Sequence, residues 1–129
     1  MASTVSVIVL NFNGAAILPR CLDHVLAQTR RADEILVVDN ASSDGSDAVL
    51  AAYAARGVRA VTSPRNLGCA GGRNLGVQAA RGDVIAFMDN DGYADRRWLE
   101  ATVAALDADA GLGAVAPLVF FDRQPLVLN

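Results

Sequence analysis

The sequence predicts an α/β fold in which a mostly parallel sheet, in strand order 3-2-1-4, is flanked by helices. Short β-branched apolar runs alternate with longer stretches of helical periodicity, the pattern of successive βαβ units. Clusters of Asn, Asp, Ser and Gly follow the apolar runs, where loops leave the carboxyl ends of parallel strands. The chain has 129 residues, 53% of them apolar. That makes one domain, or a piece of one, and a chain of this size buries about two thirds of its unfolded surface.

The elements follow in order. "VSVIVL" (5–10) is ended by the turn formers "NFNG" and reads as a strand buried on both faces. Ile17, Leu18, Cys21, Leu22, Val25 and Leu26 recur at helical spacing, predicting a helix from about Ala15 to Gln28. "EILVVD" (34–39) is a second buried strand, and "NASSDGSD" a loop in which Ser43 or Asp44 is placed to cap a helix running to about Arg56. "VRAVT" (58–62) is a third strand, and "SPRNLGCAGG" reads as a turn-rich loop. A helix from about Arg73 to Ala80 then stops at Gly82. "DVIAFMD" (83–89) is a fourth strand and "ADRRWLEATVAALDAD" (94–109) a helix. "LGAVAPLVFF" (112–121) predicts a fifth strand, which Pro117 confines to an edge or a bulge.

Composition excludes several classes. A net charge of −3 leaves no basic footprint for nucleic acid. All 11 basic residues are arginines, so no mechanism can depend on a lysine. Cys21 lies on the apolar side of a helix and Cys69 in the Gly-rich stretch; both read as reduced thiols. His24, the single histidine, reads as an exposed helix residue with neither triad nor zinc partners. The apolar run near the N-terminus is too short for a signal peptide or a membrane span. The expected location is cytoplasmic, with membrane association left open for a longer parent protein.

In the order 3-2-1-4 the first and fourth strands are neighbours. Asn11, Asn13, Asp39, Asp89 and Asp91 then flank one crevice at the point where the strand order reverses, the usual ligand site of such sheets. A dinucleotide-binding domain needs G-x-G-x-x-G after the first strand; "NFNG" stands there instead. A phospho-acceptor receiver needs acidic residues at that point and a lysine after the last strand, and this chain has neither. A nucleotide-sugar site remains. The diphosphate of such a donor calls for a hard cation, Mn²⁺ or Mg²⁺, held by one or two carboxylates together with phosphate oxygens. "DND" (89–91) supplies the carboxylates, and in extended backbone side chains two apart share a face.

The blocks "VSVIVLNFNG", "ILVVDNASSDGS", "NLGCAGGRNLGVQAARGDVIAFMDNDGY" and "RRWL", over about residues 5–99, resemble the N-terminal, nucleotide-sugar-binding part of family 2 glycosyltransferases of GT-A type, whose core is Rossmann-like. The resemblance implies that Asn11, Phe12 and Asn13 hold base and ribose, and that Asp39 accepts the N3–H of uracil or thymine. It implies that Arg73 reaches the base or the diphosphate, that Asp89 contacts ribose or metal, and that Asp91 is the main metal ligand. It points to UDP- or dTDP-linked donors, to inverting transfer of a hexosyl group onto a glycan or lipid-linked acceptor, and to cell-surface polysaccharide synthesis in bacteria. The family's catalytic base lies in a later acidic motif, and Asp107, Asp109 and Asp122 fall too early to match it. The chain read alone is therefore either a truncated donor part or a degenerate protein, expected to transfer no sugar and to self-associate through its C-terminal segment.

Plainer roles remain open for these residues. Asp91 also suits a cap of the following helix, Asp39 an ordinary strand-end turn, Arg73 a solvated first-turn position, and Asp44 a cap rather than a ligand contact. The alternative to an enzyme is a module that binds nucleoside diphosphate and metal without catalysing transfer.

Overall fold

The computed structural model describes residues 3–121, and the backbone alone of 124–128. Asp122 lies outside the described residues. The elements run β1 (Val5–Asn11), α1 (Leu18–Leu26), β2 (Glu34–Asp39), α2 (Ser46–Ala54), β3 (Val58–Thr62), α3 (Gly68–Ala79), β4 (Val84–Asp89) and α4 (Trp98–Ala108). β1 to β4 form a four-stranded parallel sheet in the order β3-β2-β1-β4. Both the α/β class and the strand order are those the sequence predicts. Register sets Asn11 opposite Asp39, Asp39 opposite Thr62 and Leu10 opposite Asp89. The carboxyl ends of all four strands are thereby brought side by side.

Strand alternation builds two cores. On one face Val5, Val7, Val9, Ile35 and Val37 meet Leu18, Leu22 and Val25 of α1, Leu50 of α2, and Leu99 and Val103 of α4. On the other, Ile8, Leu36 and Val38 pack beneath Leu75 and Ala79 of α3. Full burial of each such side chain stabilises the fold by about 1.5–3 kcal/mol.

Three departures from the sequence reading have physical causes. First, α3 begins at Gly68, five residues before Arg73, so the stretch read as a loop is mostly helix. A Cβ on Gly72 would lie 2.5 Å from Leu10 Cδ1, and one on Gly76 would lie 2.6 Å from Ile8 Cγ2. The helix rests on the sheet through glycine, and that contact offsets the residue's poor helix propensity of about 1 kcal/mol. Second, α1 begins at Leu18 with Pro19 in its first turn, where the missing N–H costs nothing. Third, residues 112–119 form no strand, because Pro117 lacks the N–H a ladder needs. Phe120–Phe121 (β5) instead pairs antiparallel with Gln124–Leu128 (β6) in a separate two-stranded sheet.

Candidate nucleotide-sugar site

The carboxyl ends of β1, β2 and β4 are joined by side-chain amides. Asn11, fully buried, donates from Nδ2 to Asp39 Oδ1 at 3.0 Å and to Ser42 Oγ at 3.3 Å. Its Oδ1 accepts from Asn90 Nδ2 at 2.9 Å. Asn90 stands between Asp89 and Asp91, so a relay Asp39–Asn11–Asn90 ties the acid of β2 to the acidic turn after β4. Gly14 makes room for it, since a Cβ there would lie 2.2 Å from Asn90 Nδ2 and 2.4 Å from Asn11 Oδ1.

Asp39 is half-buried and held firmly. Its Oδ1 also accepts from Ser42 Oγ at 2.6 Å, and its Oδ2 from Ser42 N at 3.2 Å. A carboxylate offers about four lone-pair positions, so one direction at Oδ2 stays open. Ser42 Oγ accepts from Asn13 N at 2.8 Å, and Asn13 Oδ1 accepts from Ser43 N at 2.8 Å, which laces the loop after β1 to the loop after β2. Asn13 has φ 49, a left-handed value that asparagine tolerates better than most residues. Asn40, also buried, binds Asn66 Oδ1 and Gly68 O through Nδ2 and accepts Leu67 N at Oδ1. The start of α3 is thereby fixed to the same edge. Phe12 is 48% exposed beside Asn11.

On the β4 side the backbone leaves the strand at Asn90. Gly92 N donates to Asp89 O at 2.9 Å, so Asp91 belongs to a turn, and the expectation that strand alternation aims both carboxylates one way does not hold there. Asp89 Oδ1 accepts from Arg73 Nη2 at 2.6 Å. Asp91 is exposed and makes no hydrogen bond or ion pair among the described residues. It does not cap α4, which starts at Trp98 after Arg97. Both acids press on the thiol of Cys21: burial first, then the charges of Asp91 and Asp89, push its pKa up to about 12. Asp89 and Asp91 offer oxygen donors only, which suits Mg²⁺ or Mn²⁺. No cluster of three or more His, Cys, Asp or Glu that could hold a metal occurs among the described residues. A cation at this turn therefore needs oxygens from a ligand as well.

Asp44 is taken up by structure. Its Oδ1 accepts from Ser46 N and Ser46 Oγ, its Oδ2 from Ala15 N; the Ser46 hydroxyl and the Ala15 amide hold its carboxyl below the usual carboxylate range. The N-cap residue by backbone geometry is Gly45.

Sequence reasoning missed the residues that hold the acidic turn. His24, read as exposed, is half-buried; its Nδ1 lies 2.9 Å from Ala94 O and its ring packs 5.8 Å from that of Tyr93. The Arg20 guanidinium sits 3.8 Å over the same Tyr93 ring. Gln28 donates to His24 O and Asp95 O and accepts Leu99 N. The one available signal was that Asn11, Asn40 and Asn90 each stand at or just after a strand end.

The family model described as glycosyl transferase family 2 matches residues 6–125. The chain belongs to glycosyl transferase family 2. Among family 2 relatives, the glycosyltransferase GlyG of Streptococcus pneumoniae is 30% identical over 118 residues, covering 88% of this chain and 39% of GlyG. The succinoglycan biosynthesis protein ExoO of Rhizobium meliloti is 39% identical over 87 residues, 67% of this chain and 25% of ExoO. TarS of S. aureus, solved in complex with UDP-GlcNAc, superposes with a TM-score of 0.74 at 26% identity, over 81% of this chain and 31% of that structure. The mannosyltransferase PcManGT from Pyrobaculum calidifontis, in complex with GDP-Man and Mn²⁺, gives 0.76 at 27% identity, over 82% of this chain and 33% of that structure. The family 2 match and these neighbours make the sheet that of a GT-A-type glycosyltransferase. The chain spans well under half the length of these relatives. Among the described residues no helix is long and apolar enough to cross a membrane.

Proposed function

We propose that this chain is the donor-binding part of an inverting glycosyltransferase that takes a hexosyl group from a UDP- or dTDP-sugar, for a glycan or lipid-linked acceptor in polysaccharide synthesis. The observation that carries the reading is the Asp39–Asn11–Asn90 relay, which joins a carboxylate with one open lone pair to a turn carrying Asp91, whose carboxylate has no partner among the described residues. The open position at Asp39 Oδ2 suits the N3–H of uracil or thymine, which cytosine lacks, and the exposed ring of Phe12 offers that base an apolar surface. Asn13, next to Phe12 in the same loop and laced to Ser42 and Ser43, is placed for the ribose. Asn11, having no exposed surface, serves by positioning its neighbours.

Asp91 and Asp89 are the residues suited to hold Mn²⁺ or Mg²⁺, and Arg73 lies beside them for the diphosphate. Bound there, the cation would supply charge neutralisation to the departing nucleoside diphosphate. Asp91 keeps its charge available because no described residue bonds to it, while the Asn11–Asn90 bond fixes the turn on which it sits. Residues with preset orientation stabilise developing charge without reorganising during the reaction. The base for the acceptor hydroxyl is assigned to no residue of this chain. UDP-GlcNAc bound to TarS and GDP-Man bound to PcManGT support a nucleotide-sugar donor in general.

Calorimetric titration with UDP and dTDP, with and without Mn²⁺, tests the reading. Binding should be metal-dependent, and Asp91→Asn should weaken it more than Asp44→Asn. Equal UDP affinity in excess chelator would remove the metal role.

A further inference from the structure

The guanidinium of Arg73 does not wait in solvent for a ligand. Nη2 donates to Asp89 Oδ1 at 2.6 Å, Nη1 lies 2.8 Å from the Cys69 sulfur, and the group stands 5.9 Å over the Phe87 ring. It is thus gripped by both α3 and β4, with a side chain only 34% exposed. Asp91, two residues beyond Asp89, is held by no such partner among the described residues. One carboxylate of the acidic pair is ready for a cation, and the other is already neutralised by an arginine.

We propose that Arg73 occupies the cation's place at Asp89 until a nucleoside diphosphate arrives, so that Arg73 couples the binding of the two. This rests on the donor-site reading above. A guanidinium and a divalent cation compete for the same carboxylate oxygen and repel each other across it. A diphosphate offers the guanidinium a better match, since phosphate oxygens accept its forked N–H groups in pairs. Arg73 then exchanges Asp89 for phosphate, and Asp89 turns to the cation beside Asp91. By linkage, whatever the diphosphate adds to cation affinity the cation adds to diphosphate affinity. Arg73 is a positioning residue here: it acts on the cation through Asp89. As a plain strut between α3 and β4, it would leave cation affinity untouched when removed.

The test is Mn²⁺ titration without nucleotide, followed by the spin-resonance signal of the free ion, on wild type, Arg73→Gln and Arg73→Lys, with Mn²⁺·UDP binding by wild type measured in parallel. Arg73→Gln should bind Mn²⁺ about tenfold more tightly than wild type, within the usual range of coupling between sites. Arg73→Lys, which keeps the charge but loses the fork, should fall between the two. If Arg73→Gln binds Mn²⁺ no better than wild type while wild type still forms the Mn²⁺·UDP complex, the coupling role is wrong and the donor-site reading stands. If wild type binds neither UDP nor Mn²⁺·UDP, both fall together. Should Arg73→Gln fail to fold, Arg73→Lys decides, and a Mn²⁺ affinity equal to that of wild type overturns the proposal.

Discussion

Asp39 is a carboxylate whose surroundings have used three of its lone pairs and left one. A ligand donor aimed at that position gains a charge-assisted hydrogen bond, and losing one costs about 1.5–3 kcal/mol. Asp39→Ala should therefore erase most of the preference for UDP or dTDP over CDP, as competition titrations would read directly. Wild-type protein that binds CDP as well as UDP would end the role proposed for Asp39. The acids were legible in the sequence because carboxylates after strands are few and their chemistry narrow. Asn11, Ser42 and Asn90 were not legible as a relay, because an amide serves turns, caps and hydrogen bonds alike. Only the register of β1 against β2 and β4 shows which amide meets which acid.

At the scale of elements, α1 is the post on which the acidic turn hangs. Its Cys21 thiol lies 3.4 Å from Asp89 O, His24 holds Ala94 O, and Gln28, just past its end, holds Asp95 O and Leu99 N. The segment from β4 to α4 has little regular structure, yet Asp89 O, Ala94 O, Asp95 O and Leu99 N are all held by α1 and the residue just past it. Gln28 is 5% exposed, and its removal leaves buried donors and acceptors unpaired. Gln28→Ala should destabilise the fold by about 2–3 kcal/mol, measured by urea unfolding, and should weaken Mn²⁺-dependent UDP binding through the slackened turn. A variant as stable as wild type would show that water replaces the lost bonds. Periodicity found α1 because its buried stripe is regular. It missed the true start of α3 because glycines read as breakers, and only the close approach to Leu10 and Ile8 explains them.

For the molecule as a whole, the amino end of the sheet, opposite the site, is pinned by Glu34. Burial alone would raise its pKa, but hydrogen bonds from Arg59, from Ser6 Oγ and from the Arg81 amide outweigh that and hold it below its ordinary value of 4.5. A carboxyl lowered in the folded state adds stability at every pH above its unfolded value and loses it as pH falls through the folded one. Stability should hold at neutral pH and decline below about pH 4.5. Glu34→Gln should cost about 1–3 kcal/mol at pH 7 and flatten that decline in thermal melts across the acid range. An unchanged acid limb would place the sensitivity elsewhere. A second whole-molecule expectation is self-association. β4 pairs with β1 and with no other strand among the described residues, Phe87 on it is 45% exposed, and Leu118, at 73%, precedes the separate hairpin. Open edges with apolar surface recruit other chains. Light scattering should give masses above 13.4 kDa that rise with concentration, and a clean monomer at high concentration would refute this.

The relay also sets an order in time. The bond from Asn11 to Asp39 joins residues 28 apart, whereas the bond from Asn90 to Asn11 joins residues 79 apart. Contacts distant in sequence close late, since the loop between them must be gathered first. A chain emerging from synthesis with its N-terminus leading can build the proposed base-binding end from its first two strands. It must still wait for residue 90 before the proposed phosphate end has anything to stand on. If the proposed site holds, a half-made chain has the means to recognise a nucleoside but none to grip its charge, and tight donor binding becomes a report that the last strand of the sheet has docked.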